Sequence, residues 1–232
     1  MPYVAMVFHP LPDWPAGCPS RAETNAAMTA RYLAGLYDLG EWGLQRRRQA
    51  APVGMEGAEQ WIGLSDGGNG LEHFLTTTFP RDRVLILDFW PASAYLADLA
   101  QALHPDDEDE RAPLLASWCH TMKEQGGTGI VAVREALSWP PRKPSVKAPY
   151  ETTRNYLRNN VHRRDYPTYV KNGWCIGSGS VESACKTGVN QRLKRAGLRW
   201  GQDGTDEMCP LRALFRSEPS QGTLFWSRCT QG

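Results

Sequence analysis

Three short apolar runs along the chain predict buried strands. They cover residues 3–8, 61–65 and 84–87, and the second and third are followed at once by Asp66 and Asp88. Continuous apolar runs of this length are typical of strands that are buried on both faces. The first run has no earlier strand with which to pair, so we expect that a neighbouring strand has been lost.

The apolar positions beyond residue 91 change to helical spacing. Tyr95, Leu96, Leu99 and Leu103 recur at the intervals of one helix face. Further helices are predicted at residues 54–60, 114–123, 130–137 and 150–161, and either a helix or a strand-to-helix passage is predicted from residue 30. Residues 139–144 contain three prolines and predict a linker. Alternating strands and helices indicate an α/β fold.

The overall composition excludes several classes of protein. The chain has 232 residues, of which 41% are hydrophobic and 22% charged, as is typical of a globular protein. Its net charge of +1 excludes a uniformly basic nucleic-acid coat. The 6 cysteines form no C-x-x-C pair, the 5 histidines show no ligand spacing, and no apolar run is long enough to span a membrane. We therefore expect a cytoplasmic protein with no membrane partner.

A glycine-rich turn at residues 173–182 predicts the start of a helix. Glu182 lies in the first turn of that helix, where the helix dipole alone is enough to account for an acid. Lys186 and Asn190 follow at intervals of four residues. This spacing predicts an acid, a base and an amide in a row on one face.

The segment that follows Glu182 is basic. It contains no acid between residues 183 and 202. Its positively charged residues are Lys186, Arg192, Lys194, Arg195 and Arg199, and Trp200 comes next. Basic residues beside an aromatic side chain bind phosphates and stack on bases, but a basic helix is also typical of a solvated surface. The spacing leaves both interpretations open.

Carboxylates at the ends of two neighbouring strands, together with one from a helix, are the ligands that two-metal phosphoryl transfer requires. Mg²⁺ prefers oxygen ligands, and two ions about 4 Å apart activate the attacking oxygen and stabilise the leaving one. Asp66, Asp88 and Glu182 fit this requirement. Acids at strand ends are also common in α/β folds of other functions.

Four segments carry a resemblance to a known family. They read Leu-Ser-Asp-Gly-Gly at 64–68, Ile-Leu-Asp-Phe-Trp-Pro-Ala at 86–92, Trp-Cys-Ile-Gly-Ser-Gly-Ser-Val-Glu-Ser-Ala-Cys-Lys at 174–186 and Gln-Arg-Leu-Lys-Arg-Ala-Gly-Leu-Arg-Trp at 191–200. In these segments the chain resembles the ISKra-type bacterial insertion-sequence transposases. These are DDE enzymes that cleave DNA and transfer its strands in DNA transposition, a metal-dependent reaction. The resemblance spans nearly the whole chain.

The resemblance implies a role for each acid. Asp66 would be the second catalytic aspartate and Glu182 the closing glutamate, and both would bind Mg²⁺ or Mn²⁺. Asp88 would open an acid-x-x-His element whose role is either metal-proximal or structural. Pro91 stands where the family has that histidine. The basic segment and Trp200 would contact the DNA of the element ends and the target.

The resemblance also implies the organisation of the chain. Residues 1–104 would form a partial ribonuclease-H-like catalytic core built on a mixed sheet, residues 105–170 a helical insertion, and residues 171–232 the core-completing helix with Glu182 and a basic carboxy-terminal region. The first aspartate of the family, in an Asp-Gly-Thr segment, has no counterpart here. We therefore expect a truncated copy with little or no catalytic activity of its own.

Two alternatives stay open beside an inactive transposase copy. One is a non-catalytic DNA-binding or oligomerising remnant, which would form homo-oligomers or join intact transposase in hetero-oligomers. The other is an inert product that folds poorly, because the loss of a strand from a sheet exposes unpaired backbone.

Overall fold

The computed structural model describes residues 3–9, 29–68, 70–79, 83–136, 143–193, 199–217 and 221–230. Within them the fold is a mixed α/β arrangement, mostly helical, with two small sheets. Strands β1 (Tyr3–His9) and β2 (Thr29–Gly35) pair antiparallel over their whole length. Strands β3 (Trp61–Ser65) and β4 (Arg83–Leu87) pair parallel. The predicted α/β class is confirmed in this general form.

Helices supply most of the remaining described residues. They are α1 (Leu39–Ala50), α2 (Leu71–Thr78), α3 (Phe89–Leu103), α4 (Glu108–Ala136), α5 (Pro144–Asn159), α6 (Tyr166–Lys171), α7 (Gly179–Ala184), a π-helix (Cys185–Asn190), α8 (Gln191–Leu193), α9 (Gln202–Arg216) and α10 (Gln221–Cys229). Short 3₁₀ turns lie at Ala51–Val53, Met55–Gly57 and Val161–Arg163.

The three predicted strands are confirmed as strands, but the predicted burial of β3 is wrong, because none of its residues is buried and Ile62 is 41% exposed. The segment from residue 30 is a strand followed by a helix, one of the two alternatives that the pattern left open. The helix predicted at residues 54–60 is wrong. Gly54 has φ +79°, a left-handed conformation that cannot continue a right-handed helix, and only a short 3₁₀ turn follows it.

The two helices predicted at residues 114–123 and 130–137 belong to one helical stretch, α4, which is interrupted at Gly126. Gly126 has φ +69°, and a Cβ atom there would lie 2.9 Å from the backbone oxygen of Arg164. The next backbone N–H, that of Gly127, donates to this same oxygen at 2.8 Å. The break therefore joins α4 to the segment before α6, and only glycine fits it. Residue 137 and the predicted linker up to residue 142 lie outside the described residues.

Helix α5 begins six residues before the predicted start at residue 150. Pro144 occupies its first turn, where proline is favoured because its missing N–H has no partner within the helix and its φ is already helical. The prediction placed the start too late because it treated this proline as part of the linker.

The largest hydrophobic core lies where β4 meets α3, α4, α5 and α6. Helix α3 buries Ala92, Leu96 and Leu99 on one face, which confirms its predicted helical spacing. The fully buried Tyr166 of α6 donates its hydroxyl to the backbone oxygen of Leu87 at 3.0 Å. This bond holds the carboxyl end of β4, where Asp88 follows.

Strands β1 and β2 are covered by helices from both ends of the chain. Helices α1 and α2 pack on them through a cluster that includes Trp42 and Phe74. Helix α9 and the π-helix pack against β2 through Val189, Cys209 and Ala213. The helices that carry the basic segment are therefore anchored on this sheet.

Candidate functional site

The carboxyl edge of the parallel pair brings two of the predicted acids together along the backbone. Ser65 lies opposite Leu87 at the ends of β3 and β4, and Asp66 and Asp88 are the next residues. The backbone N–H of Asp88 donates to the oxygen of Ser65 at 2.8 Å, which extends the strand pairing by one bond. The expected juxtaposition of two strand-end acids is therefore present in the backbone.

The carboxylate of Asp88 is engaged in backbone hydrogen bonds. Its side chain is 2% exposed, and it caps the amino end of α3 by accepting the N–H of Trp90 at 3.1 Å. The same oxygen, Oδ1, accepts the N–H of Ser178 at 3.3 Å. A buried carboxylate needs such partners, because desolvation without them is costly. Of the two roles left open for Asp88, these contacts fit the structural one.

The glycine-rich turn is fastened to this edge by backbone contacts. The N–H of Phe89 donates to the oxygen of Ile176 at 2.8 Å. A Cβ atom on Gly177 would lie 2.9 Å from Nε1 of Trp90, so the turn approaches the start of α3 too closely for a larger residue without a shift of that ring. The chain then enters α7, where the N–H of Glu182 donates to the oxygen of Ser178 at 2.9 Å. The predicted turn-to-helix passage is confirmed, and the Glu182 side chain is exposed.

Asp66 lies in an exposed turn beside a tyrosine pair. Its Oδ1 accepts the N–H of Gly68 at 3.1 Å. The Tyr156 ring covers Gly67 and stacks on Tyr95 with ring centroids 3.9 Å apart. Burial, and then the neighbouring phenol of Tyr95, raise the pKa of Tyr156 to about 12. The turn that carries Asp66 therefore packs against the stacked rings of Tyr156 and Tyr95.

The three predicted acids do not converge into one ligand set. Among the described residues, which include all three, no group of three or more His, Cys, Asp or Glu side chains is placed to hold a metal ion. Asp88 is buried, whereas Asp66 and Glu182 are exposed. The arrangement therefore does not fit a two-metal centre formed by these side chains, and Mg²⁺ binding by Asp66 and Glu182 stays a prediction.

A buried arginine lies beside the same edge, and sequence reasoning missed it. Arg163 is 3% exposed, and its Nη1 donates to the Ser65 hydroxyl at 3.3 Å. Its Nε lies 3.6 Å from Oε2 of Glu72, whose Oε1 is 2.8 Å from Nε2 of the exposed His162. Nη2 donates to the Asn160 side chain at 2.7 Å. The contacts with Ser65 and Glu72 join residues 90 or more positions apart, so no local pattern indicates them.

The positively charged side chains of the basic segment that the structure describes are exposed. Lys186 lies in the π-helix, Arg192 in α8, and Arg199 in the segment before α9, and all three side chains are exposed. Trp200, 37% exposed, donates its indole N–H to the backbone oxygen of Arg192 at 3.1 Å. Lys194 and Arg195 lie outside the described residues.

The π-helix changes the spacing that was predicted for this segment. An α-helix repeats every 3.6 residues, whereas the wider π turn bonds each residue to the fifth along. The predicted row of Glu182, Lys186 and Asn190 assumed α-helical spacing, which ends at Ala184. Four residues come close to one full turn in either kind of helix, so the row stays a prediction.

A cavity of about 430 Å³ lies between β2, α1, α9 and α10, apart from the predicted acids. Its lining is uncharged and includes Tyr32, Tyr37, Gln45 and Phe225. None of the predicted catalytic or DNA-binding residues lines it.

Comparisons with protein-family models, with curated proteins and with solved structures found no match to this chain. Within the described residues, no helix combines the length and the apolar character needed to cross a bilayer.

Proposed function

We propose that this chain is a polypeptide of the DDE insertion-sequence transposase type that binds DNA through its basic segment and does not cleave DNA by itself. The observation that carries the proposal is the exposed group of Lys186, Arg192 and Arg199, with Trp200 fixed to the backbone of Arg192. The four segments that resemble the family supply the type of enzyme.

The chemistry of this surface suits a nucleic-acid backbone. Cations that are exposed and close in sequence, with no acid between residues 183 and 202, attract phosphates and release their counterions. An indole held in place by its own N–H loses little freedom when a base or sugar packs on it.

We infer the absence of DNA cleavage from the contacts and positions of the three predicted catalytic acids. Oδ1 of Asp88 accepts hydrogen bonds from two backbone N–H groups. Among the described residues, no group of three or more His, Cys, Asp or Glu side chains is placed to hold a metal ion. Two-metal catalysis needs shared carboxylates to place both ions. Removal of one carboxylate from such a centre also removes the stabilisation of transition-state charge that it provides.

The ribonuclease-H-like core is part of the same proposal. One antiparallel strand pair and one parallel pair, with helices packed on each, are the parts from which a mixed sheet of that kind is built. The acids Asp66 and Asp88 follow the parallel pair, at the edge where α/β folds carry their ligands. Association with a second copy or with an intact transposase stays a prediction.

The proposal is tested by fluorescence anisotropy of a labelled DNA duplex. We expect binding that weakens steeply with salt and that is lost in the triple variant Lys186→Ala, Arg192→Ala, Arg199→Ala. Arg158→Ala, which removes an exposed arginine from α5, is the matched control and should bind as the parent does. Glu182→Gln should also bind normally, because it changes a predicted metal ligand and no cation. Equal binding by the triple variant and the control would overturn the proposal.

A further inference from the structure

Two arginines of α9 lie beside the basic segment although they are distant from it in sequence. The π-helix and α8 pack on α9 through Val189, Leu193, Cys209 and Ala213. Arg192 directly precedes Leu193, and Arg212 directly precedes Ala213, so both arginines flank this packing contact. Arg216 follows Arg212 by four residues, one turn along the same helix side.

The guanidinium group of Arg212 is repelled by those of Arg192 and Arg216. The pKa of Arg212 lies below its usual value because of burial and then because of the positive charges of Arg192 and Arg216. Arg192 and Arg216 are exposed, and neither has an ion-pair partner among the residues that the structure describes. Like charges held together on a packed framework favour the binding of an anion that relieves the repulsion.

We propose that Arg192, Arg212 and Arg216 form a phosphate-binding site for the DNA backbone. Each guanidinium is planar and presents a fork of donors that matches phosphate oxygens. Four residues of α-helix rise about 6 Å, so Arg212 and Arg216 can reach different phosphates of one strand. The site rests on the proposed function and extends its DNA-binding surface from the basic segment onto α9.

Trp200 marks the direction in which this surface continues. Its ring packs against Gly204 in the first turn of α9, where a Cβ atom would lie 3.1 Å from the ring carbon Cε3. Arg212 and Arg216 lie in the last two turns of the same helix. A backbone bound to the three arginines therefore follows α9 towards an aromatic side chain that can stack on a base.

The test compares salt dependence in three double variants on one labelled DNA duplex. Arg212→Ala with Arg216→Ala should lower the slope of log affinity against log salt by about 1.8, from the loss of two phosphate contacts at about 0.9 each. The same slope predicts affinity lower by about 30-fold at 0.15 M salt. Arg212→Lys with Arg216→Lys keeps both charges and should retain most of the slope. Arg158→Ala with Lys147→Ala removes two exposed charges from α5 and should change neither quantity.

Each outcome separates this site from the wider proposal. If the parent chain does not bind DNA, the proposed function fails and takes this site with it. If the parent binds and the double alanine variant keeps the parent slope while its circular dichroism and melting are unchanged, only the site on α9 is refuted. If the lysine variant loses as much slope as the alanine variant, the arginines act through packing and the phosphate site is equally refuted.

Discussion

Asp88 connects the end of a strand, the start of a helix and the glycine-rich turn, so its removal should loosen all three. The change Asp88→Ala deletes the acceptor for the N–H groups of Trp90 and Ser178. The loss of a helix cap costs about 1 kcal/mol, and a second N–H left without its acceptor costs about another 1 kcal/mol. We therefore expect the free energy of unfolding to fall by about 2 kcal/mol.

The matched control is Asp88→Asn. Asparagine is as good a helix cap as aspartate, and its side-chain oxygen can accept both bonds. We expect this variant to lie within about 0.5 kcal/mol of the parent. The pair of variants separates the hydrogen-bond acceptor from the negative charge, because only the alanine variant loses the acceptor.

The assay is urea unfolding followed by circular dichroism, with thermal melting as a second readout. A loss of 2 kcal/mol corresponds to a melting temperature lower by about 4–8 °C in a chain of this size. An alanine variant as stable as the parent would refute the reasoning. So would an asparagine variant that melts as low as the alanine variant, since this would mean that the charge of Asp88, and not its hydrogen bonds, stabilises the fold.

Three further predictions concern the packing around this edge. Gly126→Ala should destabilise the chain by more than Gly54→Ala in urea unfolding. Both glycines have positive φ, which costs an alanine about 1 kcal/mol, but only at residue 126 would the added Cβ atom meet the Arg164 backbone oxygen. Equal losses of stability in the two variants would contradict this. Tyr166→Phe should lower the free energy of unfolding by about 1 kcal/mol, because the oxygen of Leu87 loses its buried donor and no cavity forms. A variant as stable as the parent in the same assay would be inconsistent with that bond. The raised pKa of Tyr156 predicts that its contribution to the free energy of unfolding is complete below pH 10 and is lost between about pH 10 and 12, because the phenol of the unfolded chain ionises first. The fall in stability over this range should be shallower in Tyr156→Phe. An identical pH profile in the parent and the variant would contradict this cause.

The strands that carry Asp66 and Asp88 could be predicted because a short apolar run that ends in an acid depends only on local sequence. The cap on α3 was also within reach, since aspartate is a preferred residue immediately before a helix. The ends of α4 and α5 were harder. The break at Gly126 exists because of a backbone contact with Arg164, 38 residues away, and Pro144 is compatible with both a linker and a helix start.

The contacts that decide the site could not be predicted from local patterns. The bond from Ser178 to Asp88 spans 90 residues, and the bond from Arg163 to Ser65 spans 98. The π turn after Ala184 also has no simple sequence signal. The acids Asp203, Asp206 and Glu207 stand between the basic segment and the pair Arg212 and Arg216, so a segment defined by the absence of acids ends at residue 202 and does not include them.

One measurement tests the central claim most directly: a labelled duplex mixed with the chain at low salt in millimolar Mg²⁺, in which anisotropy and strand cleavage are followed in the same sample. The account predicts binding that is reversed by salt and no cleaved product. Absence of binding would contradict the DNA-binding surface. Cleavage that requires Mg²⁺ and disappears in Asp66→Asn would contradict the inference that these acids do not form a working metal centre in this chain.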